Sequence, residues 1–320
     1  MHRERVSENV YWFQSEIFAQ VTAGAITGPQ WAVVIDTLAL PEETLAMRAY
    51  IEENLNVPVR FVINTHYHAD HTWGNCFFPG ATILAHSLCR QAILEYGQSN
   101  LETARRQNPV FRQTKLVAPH FTFSSGTLSL RVGKKNLILA SSPGHSKDGI
   151  SVLVEEDRVL FAGDSFMPLP HIVDGDLEQL STTIKMIGKM GLENIIQGHG
   201  DIILRGEIEG AVKENLGYLS AIRKAVKSAA RRKNPQEALE SIDIESCGKS
   251  RVSLGGLGLE LHRRNIRALY RQICLEEPLE DGTIEIIDPL DTIDEFFEPV
   301  EEPDGELDFD DNSLEYPEDN

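Results

Sequence analysis

The sequence predicts an α/β chain built as a two-sheet sandwich with helices on its outer sides. Three observations carry this. Short apolar segments bounded by Gly, Pro, Asn and Asp recur in both halves. A set of strands followed by a helix occurs twice at a similar scale, which suits a sandwich better than a doubly wound parallel sheet. The chain has 320 residues, 41% of them apolar, enough for one large α/β domain plus an appendage.

In order, Val10 to Val21 and Trp31 to Asp36 read as two strands joined by a Gly/Pro-containing turn. Residues 41–56 form an amphipathic helix that starts at Pro41 with acids in its first turn and ends before Pro58. Val59 to Asn64 is a strand, 81–86 another, and a helix follows from a Ser87 cap; residues 99–118 read as a mixed helix-and-loop insertion. From Phe121 five short strands follow: "FTFS", "TLSLRV", "NLILAS", "GISVLVEE" and "RVLFAGD". A helix at 176–190, a brief strand at 194–197 and a long helix at 207–233 complete a domain expected to span 1–230. Two more helices make a C-terminal helical extension over 231–275, and 276–320 are expected to be an acidic, disordered tail.

The net charge of −19 belongs to that tail. Leu275 to Asn320 hold 20 of the 49 acids and no Lys or Arg, leaving 29 acids against 30 bases in the body. A balanced body argues against a nucleic-acid-binding surface, and the cluster "KAVKSAARRK" suits the solvated face of a long helix. The four cysteines are scattered, without a C-x-x-C pair, as expected in a reducing cytosol. Neither a secretory leader nor an apolar run of about 18 residues is visible, so the reading is a cytoplasmic protein with no membrane partner.

The chemistry concentrates in "FVINTHYHADHTWGN", Phe61 to Asn75. His66 and His68 stand two apart at the end of an expected strand, where alternate residues point the same way and both imidazoles can reach one ion. Asp70 and His71 follow on the turning chain and can address a second point close by. Three imidazoles and a carboxylate suit zinc or another borderline divalent ion. A surface histidine run is a poor alternative, because "FVIN" anchors the cluster to a buried strand. Three further ligand-type residues stand beside glycine at strand ends: His145 in "SSPGHSKDG", Asp164 in "VLFAGDS" and His199 in "NIIQGHGD".

The order T-H-x-H-x-D-H, P-G-H, G-D, G-H-G resembles the metallo-β-lactamase superfamily, most closely its glyoxalase-II-like group, and "VVIDT" around Asp36 is similar to that family's early strand-and-turn element. The resemblance runs from about Val10 to Gly200. It implies an αββα four-layer sandwich with metals in a cleft along one edge of the two sheets. His66, His68 and His145 would hold a first metal; Asp70, His71 and His199 a second; Asp164 would bridge them. All seven positions are present, which favours two divalent ions, zinc first, with iron or manganese as alternatives. Such a pair would share a hydroxide for attack on a small acyl substrate, an ester, thioester or lactone. Asp70 would orient that nucleophile or pass its proton to the leaving group. Asp36 is a candidate partner for a ligand imidazole, although it is also placed to stabilise the turn it ends; Thr65 and Asp148 are further candidates.

Tyr67, between two ligands, and His171, in a Pro-rich loop after Asp164, are candidate substrate-facing residues. His86, His120 and His262 are assigned to structure or surface. Two other readings compete with the hydrolase: a persulfide-dioxygenase-type enzyme with one iron, which the complete second ligand set disfavours, and a non-enzymatic, metal-dependent scaffold.

Overall fold

The computed structural model describes residues 1–276. Apart from its first residue, the expected tail lies outside the described residues. The first sheet has seven strands in simple sequential order: β1 (His2–Ser7), β2 (Val10–Gln14), β3 (Thr22–Thr27), β4 (Ala32–Ile35), β5 (Val59–Ile63), β6 (Thr82–His86) and β7 (Phe121–Phe123). It is antiparallel from β1 to β4 and parallel from β4 to β7. The second sheet orders β13 (Ile203–Leu204), β12 (Asn194–Gln197), β11 (Val159–Gly163), β10 (Ile150–Val154), β9 (Lys135–Ser141) and β8 (Thr127–Val132).

The helices are α1 (Pro41–Ala49), α2 (Ala69–Thr72), α3 (Ser87–Gln107), α4 (Leu177–Ile187), α5 (Ile208–Ala230), α6 (Pro235–Glu240) and α7 (Gly258–Glu276). Among the described residues no helix is long and apolar enough to cross a membrane.

The strands β2, β3, β4 and β11 are buried along their whole length because both of their faces are covered. Val10 and Trp12 of β2, Val33 and Ile35 of β4, and Ile63 of β5 point inward against Leu137, Leu139, Val152, Val154 and Phe161 of the second sheet. The alternate residues Tyr11, Phe13, Val34 and Val62 point outward against Met47 of α1 and Ile51. On the far side of the second sheet, Leu160 and Ile195 pack with Leu180 and Ile184 of α4, Tyr218 and Ile222 of α5, and Leu261 and Leu269 of α7. This is the αββα sandwich. Its outer apolar cluster runs without a break across residue 230 into α7.

Two sequence-based expectations are corrected, and one strand is added. The run Val10 to Val21 is not one strand: it breaks at Ser15–Gln20, where Ala19 and Gln20 adopt positive φ. The edge strand β1 is largely exposed and charged, so no apolar pattern announces it; its backbone pairing to β2 holds it. Residues 99–118 are the expected mix, with loop at 114–118, a short helical turn at Pro109–Gln113 and, at 99–107, the end of α3, which buries Leu101 and Ala104 against Trp73 and Phe111. That helix is capped by His86, whose ring accepts from the Leu88 N–H, and not by Ser87.

Gly24 shows how closely the sheets approach. A Cβ there would lie 2.0 Å from the Phe161 ring. Gly24→Val is therefore expected to destabilise the fold by about 1–3 kcal/mol through overpacking, lowering the thermal midpoint by roughly 3–10 °C; an unchanged midpoint in a circular-dichroism melt would contradict this packing.

Candidate metal centre

The strands set where the functional loops emerge. β9 and β11 both run antiparallel to β10, and β12 runs parallel to β11, so all three end on the same edge of the second sheet. His145, Asp164 and His199 follow those three ends. The loop after β5 meets them from the first sheet. Hydrogen bonds stitch the sheets here: Ile150 N–H donates to the Thr65 carbonyl at 2.8 Å, and Thr22 Oγ1 donates to the Gln197 carbonyl at 2.6 Å.

His66 and His68 do not stand on β5 itself. That strand ends at Ile63, and the chain is then diverted by Asp36, whose carboxylate accepts from Thr65 N–H and Thr65 Oγ1, both at 2.7 Å. Strand alternation is thus not the reason they converge; a loop pinned by a buried acid is. Extended His68 leads into the single turn of α2, which carries Asp70 and His71. Below it, the His71 carbonyl accepts from Thr37 N–H and from Asn64 Nδ2, each at 3.1 Å, and Asn64 pairs with Asn75.

The seven predicted positions come together. His68 Nδ1 lies 3.0 Å from both His66 Nε2 and His145 Nε2. Nitrogens bonded to one tetrahedral zinc at 2.0–2.1 Å would be about 3.3 Å apart, so the spacing suits a shared ion. Asp164 Oδ2 lies 3.7, 3.3 and 3.5 Å from Nε2 of His66, His145 and His199, while its Oδ1 lies 3.2 Å from His71 Nε2. Asp70 Oδ2 is 3.3 Å from His199 Nε2. Two ligand groups result, His66, His68, His145 and Asp164 in one and Asp70, His71 and His199 in the other. Gly198 is required beside Asp164, since a Cβ there would fall 1.8 Å from Asp164 Oδ1.

Four rings are aimed from behind. Nδ1 of His71 meets Asp36 Oδ2 at 2.9 Å, and Nδ1 of His66 meets Thr65 Oγ1 at 3.0 Å. Nδ1 of His145 donates to the His171 carbonyl and Nδ1 of His199 to the Ala19 carbonyl, both at 2.8 Å. Each contact leaves Nε2 for the centre. Asp36 thus both ends its strand, at positive φ, and supports the His71 ring. Asp148 supports none among the described residues; it lies beside Cys89, its carboxyl pushed up to about 7 mainly by burial.

Charge explains the donor set. Burial, with the neighbouring imidazoles, holds His66 and His68 well below the usual histidine range, so they are neutral lone-pair donors. Burial also opposes charge on His71 and His199, but Asp164 and Asp70 overcome it: His71 is raised well above its ordinary value and His199 to about 10. The carboxylates of Asp36, Asp70 and Asp164 demand cations; protons on His71 and His199 supply them, and a bound metal would take the place of those protons. His71 Nε2 and Asp164 Oδ1 are buried and face each other at 3.2 Å without a well-aligned hydrogen bond. Two such buried atoms at the focus of five other ligand-type side chains, nitrogen and oxygen with no thiolate, fit divalent metal.

A cavity of about 400 Å³ opens onto the centre. Its walls are mostly apolar: Phe18, Trp73, Ile93, Tyr96, Leu116, Met167, Val173, Leu254, Leu257 and Leu261. Tyr67 and His171 both line it. His171, however, is buried and its Nδ1 is engaged by Asn265 at 3.1 Å, with its pKa lowered to about 3 chiefly by burial. Ile93 and Tyr96 of α3 and Leu254, Leu257 and Leu261 complete the wall, and no motif in the sequence singles these residues out.

Asp36→Asn keeps the side chain's shape but replaces one acceptor with a donor facing Thr65 or His71. Metal affinity measured by chelator competition is expected to fall about 10–100-fold; an unchanged affinity would show that Asp36 does not orient His71.

Comparisons with known proteins give the family and agree with the fold. Residues 17–226 match the metallo-β-lactamase superfamily. A thioesterase, pkgB, from Emericella nidulans is 28% identical over 173 residues, 54% of this chain but 43% of that protein, so the chain spans under half of that relative's length. The human acyl-coenzyme A thioesterase MBLAC2 is 24% identical over 225 residues, 61% of this chain and 79% of that one. A metallo-β-lactamase family protein from Thermus thermophilus superposes with a TM-score of 0.66 at 16% identity, over 87% of this chain and 97% of its own. With the superfamily match covering well over half of its length, the chain belongs to the metallo-β-lactamase superfamily.

Proposed function

We propose that this protein is a dinuclear-metal hydrolase that cleaves esters or thioesters of apolar acyl groups. The observation that carries the reading is Asp164, whose two carboxylate oxygens face the two histidine groups at once. The ligands would be His66, His68 and His145 on one side and Asp70, His71 and His199 on the other, with Asp164 between. The all-nitrogen-and-oxygen donor set favours zinc and is also compatible with iron or manganese. When bound, two such ions supply Lewis acidity and lower the pKa of a shared water toward neutrality.

The remaining work falls to the chain. Asp70 lines the cavity and turns Oδ2 toward His199, leaving its other oxygen to take a proton from the attacking water and deliver it to the leaving group. The apolar walls hold the acyl portion and exclude water from the reacting carbonyl. Among the lining residues the formal cations are Lys147 and Arg264, and Arg264 already contacts Glu260 at 3.3 Å. A polyanionic substrate body is therefore poorly matched, whereas an uncharged acyl chain is well matched. The thioesterases among the relatives agree with the thioester bond as the target, whereas the phosphate-bearing coenzyme A named for MBLAC2 is a body that this lining does not match.

Metal-loaded protein should be assayed against thioesters of increasing acyl length, lactones, β-lactams, phosphodiesters and sulfate esters. Medium-length acyl thioesters or esters are expected to give the highest kcat/KM, and His68→Ala to remove on the order of 10³-fold or more. Leu257→Trp, which fills the cavity, should lower kcat/KM for the longer acyl groups by roughly 10–200-fold while sparing acetyl. Preferred turnover of phosphodiesters or sulfate esters would overturn the substrate class. Sulfur-dependent oxygen uptake with one iron per chain would overturn the hydrolase.

A further inference from the structure

We propose that Asn265, on the C-terminal helix α7, is a positioning residue for the ligand His145, acting through the single peptide unit that joins His171 to Ile172. The inference rests on His145 being a metal ligand. The His145 ring is aimed by one hydrogen bond, from Nδ1 to the His171 carbonyl at 2.8 Å. That carbonyl belongs to the same rigid plane as the Ile172 N–H. Asn265 Oδ1 accepts from the Ile172 N–H at 2.9 Å. The peptide is thus gripped at one end by Asn265 and presents its other end to His145.

The rest of the amide completes the grip. Oδ1 also accepts from His171 Nδ1 at 3.1 Å, and Nδ2 donates to the Pro170 carbonyl at 2.7 Å and to the Tyr218 hydroxyl at 3.0 Å. The orientation of the amide is not ambiguous, because a backbone N–H only donates and a carbonyl only accepts. Tyr218 Oη in turn meets His262 Nδ1 at 3.0 Å, so the string reaches from α5 to a second position on α7. Asn265 and His262 are both fully buried. The segment is also tied directly to the ligand's backbone, since Val173 N–H donates to the His145 carbonyl at 3.0 Å.

Asn265 shares one face of α7 with Leu261 and Leu269, where an apolar residue would pack at lower desolvation cost. Its four contacts serve one loop and its supporting tyrosine. Removing them leaves the His171 carbonyl in place covalently but free to tilt, which misdirects the His145 Nε2 lone pair. The expected signature is weakened metal binding with an intact metal-free fold.

The test compares wild type, Asn265→Leu, Asn265→Asp, Tyr218→Phe and His145→Ala in the full chain, each stripped and titrated with zinc against a chromophoric chelator. Thermal melts of the stripped proteins serve as the fold control. Asn265→Leu is expected to lose about 10–100-fold in zinc affinity, with Asn265→Asp recovering part of it because both acceptor contacts survive. Tyr218→Phe, which removes one partner of the amide, should lose less and serves as the readout should Asn265→Leu not fold. Wild-type affinity in Asn265→Leu, or in Tyr218→Phe where that variant alone folds, would overturn the proposal, provided His145→Ala has lost affinity. Wild-type affinity in His145→Ala would instead overturn the ligand assignment on which the proposal rests.

Discussion

The buried carboxylate of Asp164 is the constraint around which the structure is arranged. It is 5% exposed and lies between two groups of histidines. An unpaired charge at that depth would cost several kcal/mol, so positive charge must come to it. Imidazoles from both sheets converge on it, and glycine is obligatory at position 198 because no side chain fits beside its Oδ1. Asp70 and Asp36 add further negative charge, which deepens the preference for a multivalent cation over protons on histidine.

A centre shared between two sheets needs those sheets fixed relative to each other. The inter-sheet core does this in bulk, with Phe161 pressed against Gly24. The hydrogen bonds from Ile150 to Thr65 and from Thr22 to Gln197 do it locally, at the edge where the ligands emerge. The break in the first strand run serves the same end: by looping out at Ser15–Gln20, the chain delivers the Ala19 carbonyl to His199 Nδ1. The C-terminal helices add a third body, closing the cavity with Leu254, Leu257 and Leu261 while packing on α4 and α5.

How much of this was legible follows from how local each signal is. His66, His68, Asp70 and His71 are nearly contiguous, and chemistry alone makes four such residues conspicuous. His145, Asp164 and His199 are single residues, readable because each follows an apolar strand and stands beside glycine. The sandwich was legible because short apolar segments bounded by turn residues repeat. What could not be read depends on partners distant in sequence. β1 is charged and held mainly by backbone pairing, and the C-terminal half of α3 is polar except where Leu101 and Ala104 meet Trp73 and Phe111. The reason the ligand loop turns is also hidden, since it lies in Asp36 accepting from Thr65 across 29 positions. Asn265 carried one readable sign, a polar residue in the apolar stripe of its helix.

The central claim is that one carboxylate joins two metal groups. Anomalous scattering at the zinc edge, from crystals of zinc-loaded protein, tests it most directly. The account predicts two peaks flanking Asp164, one among His66, His68 and His145 and one among Asp70, His71 and His199. A single peak at full zinc loading, or peaks away from Asp164, would contradict it.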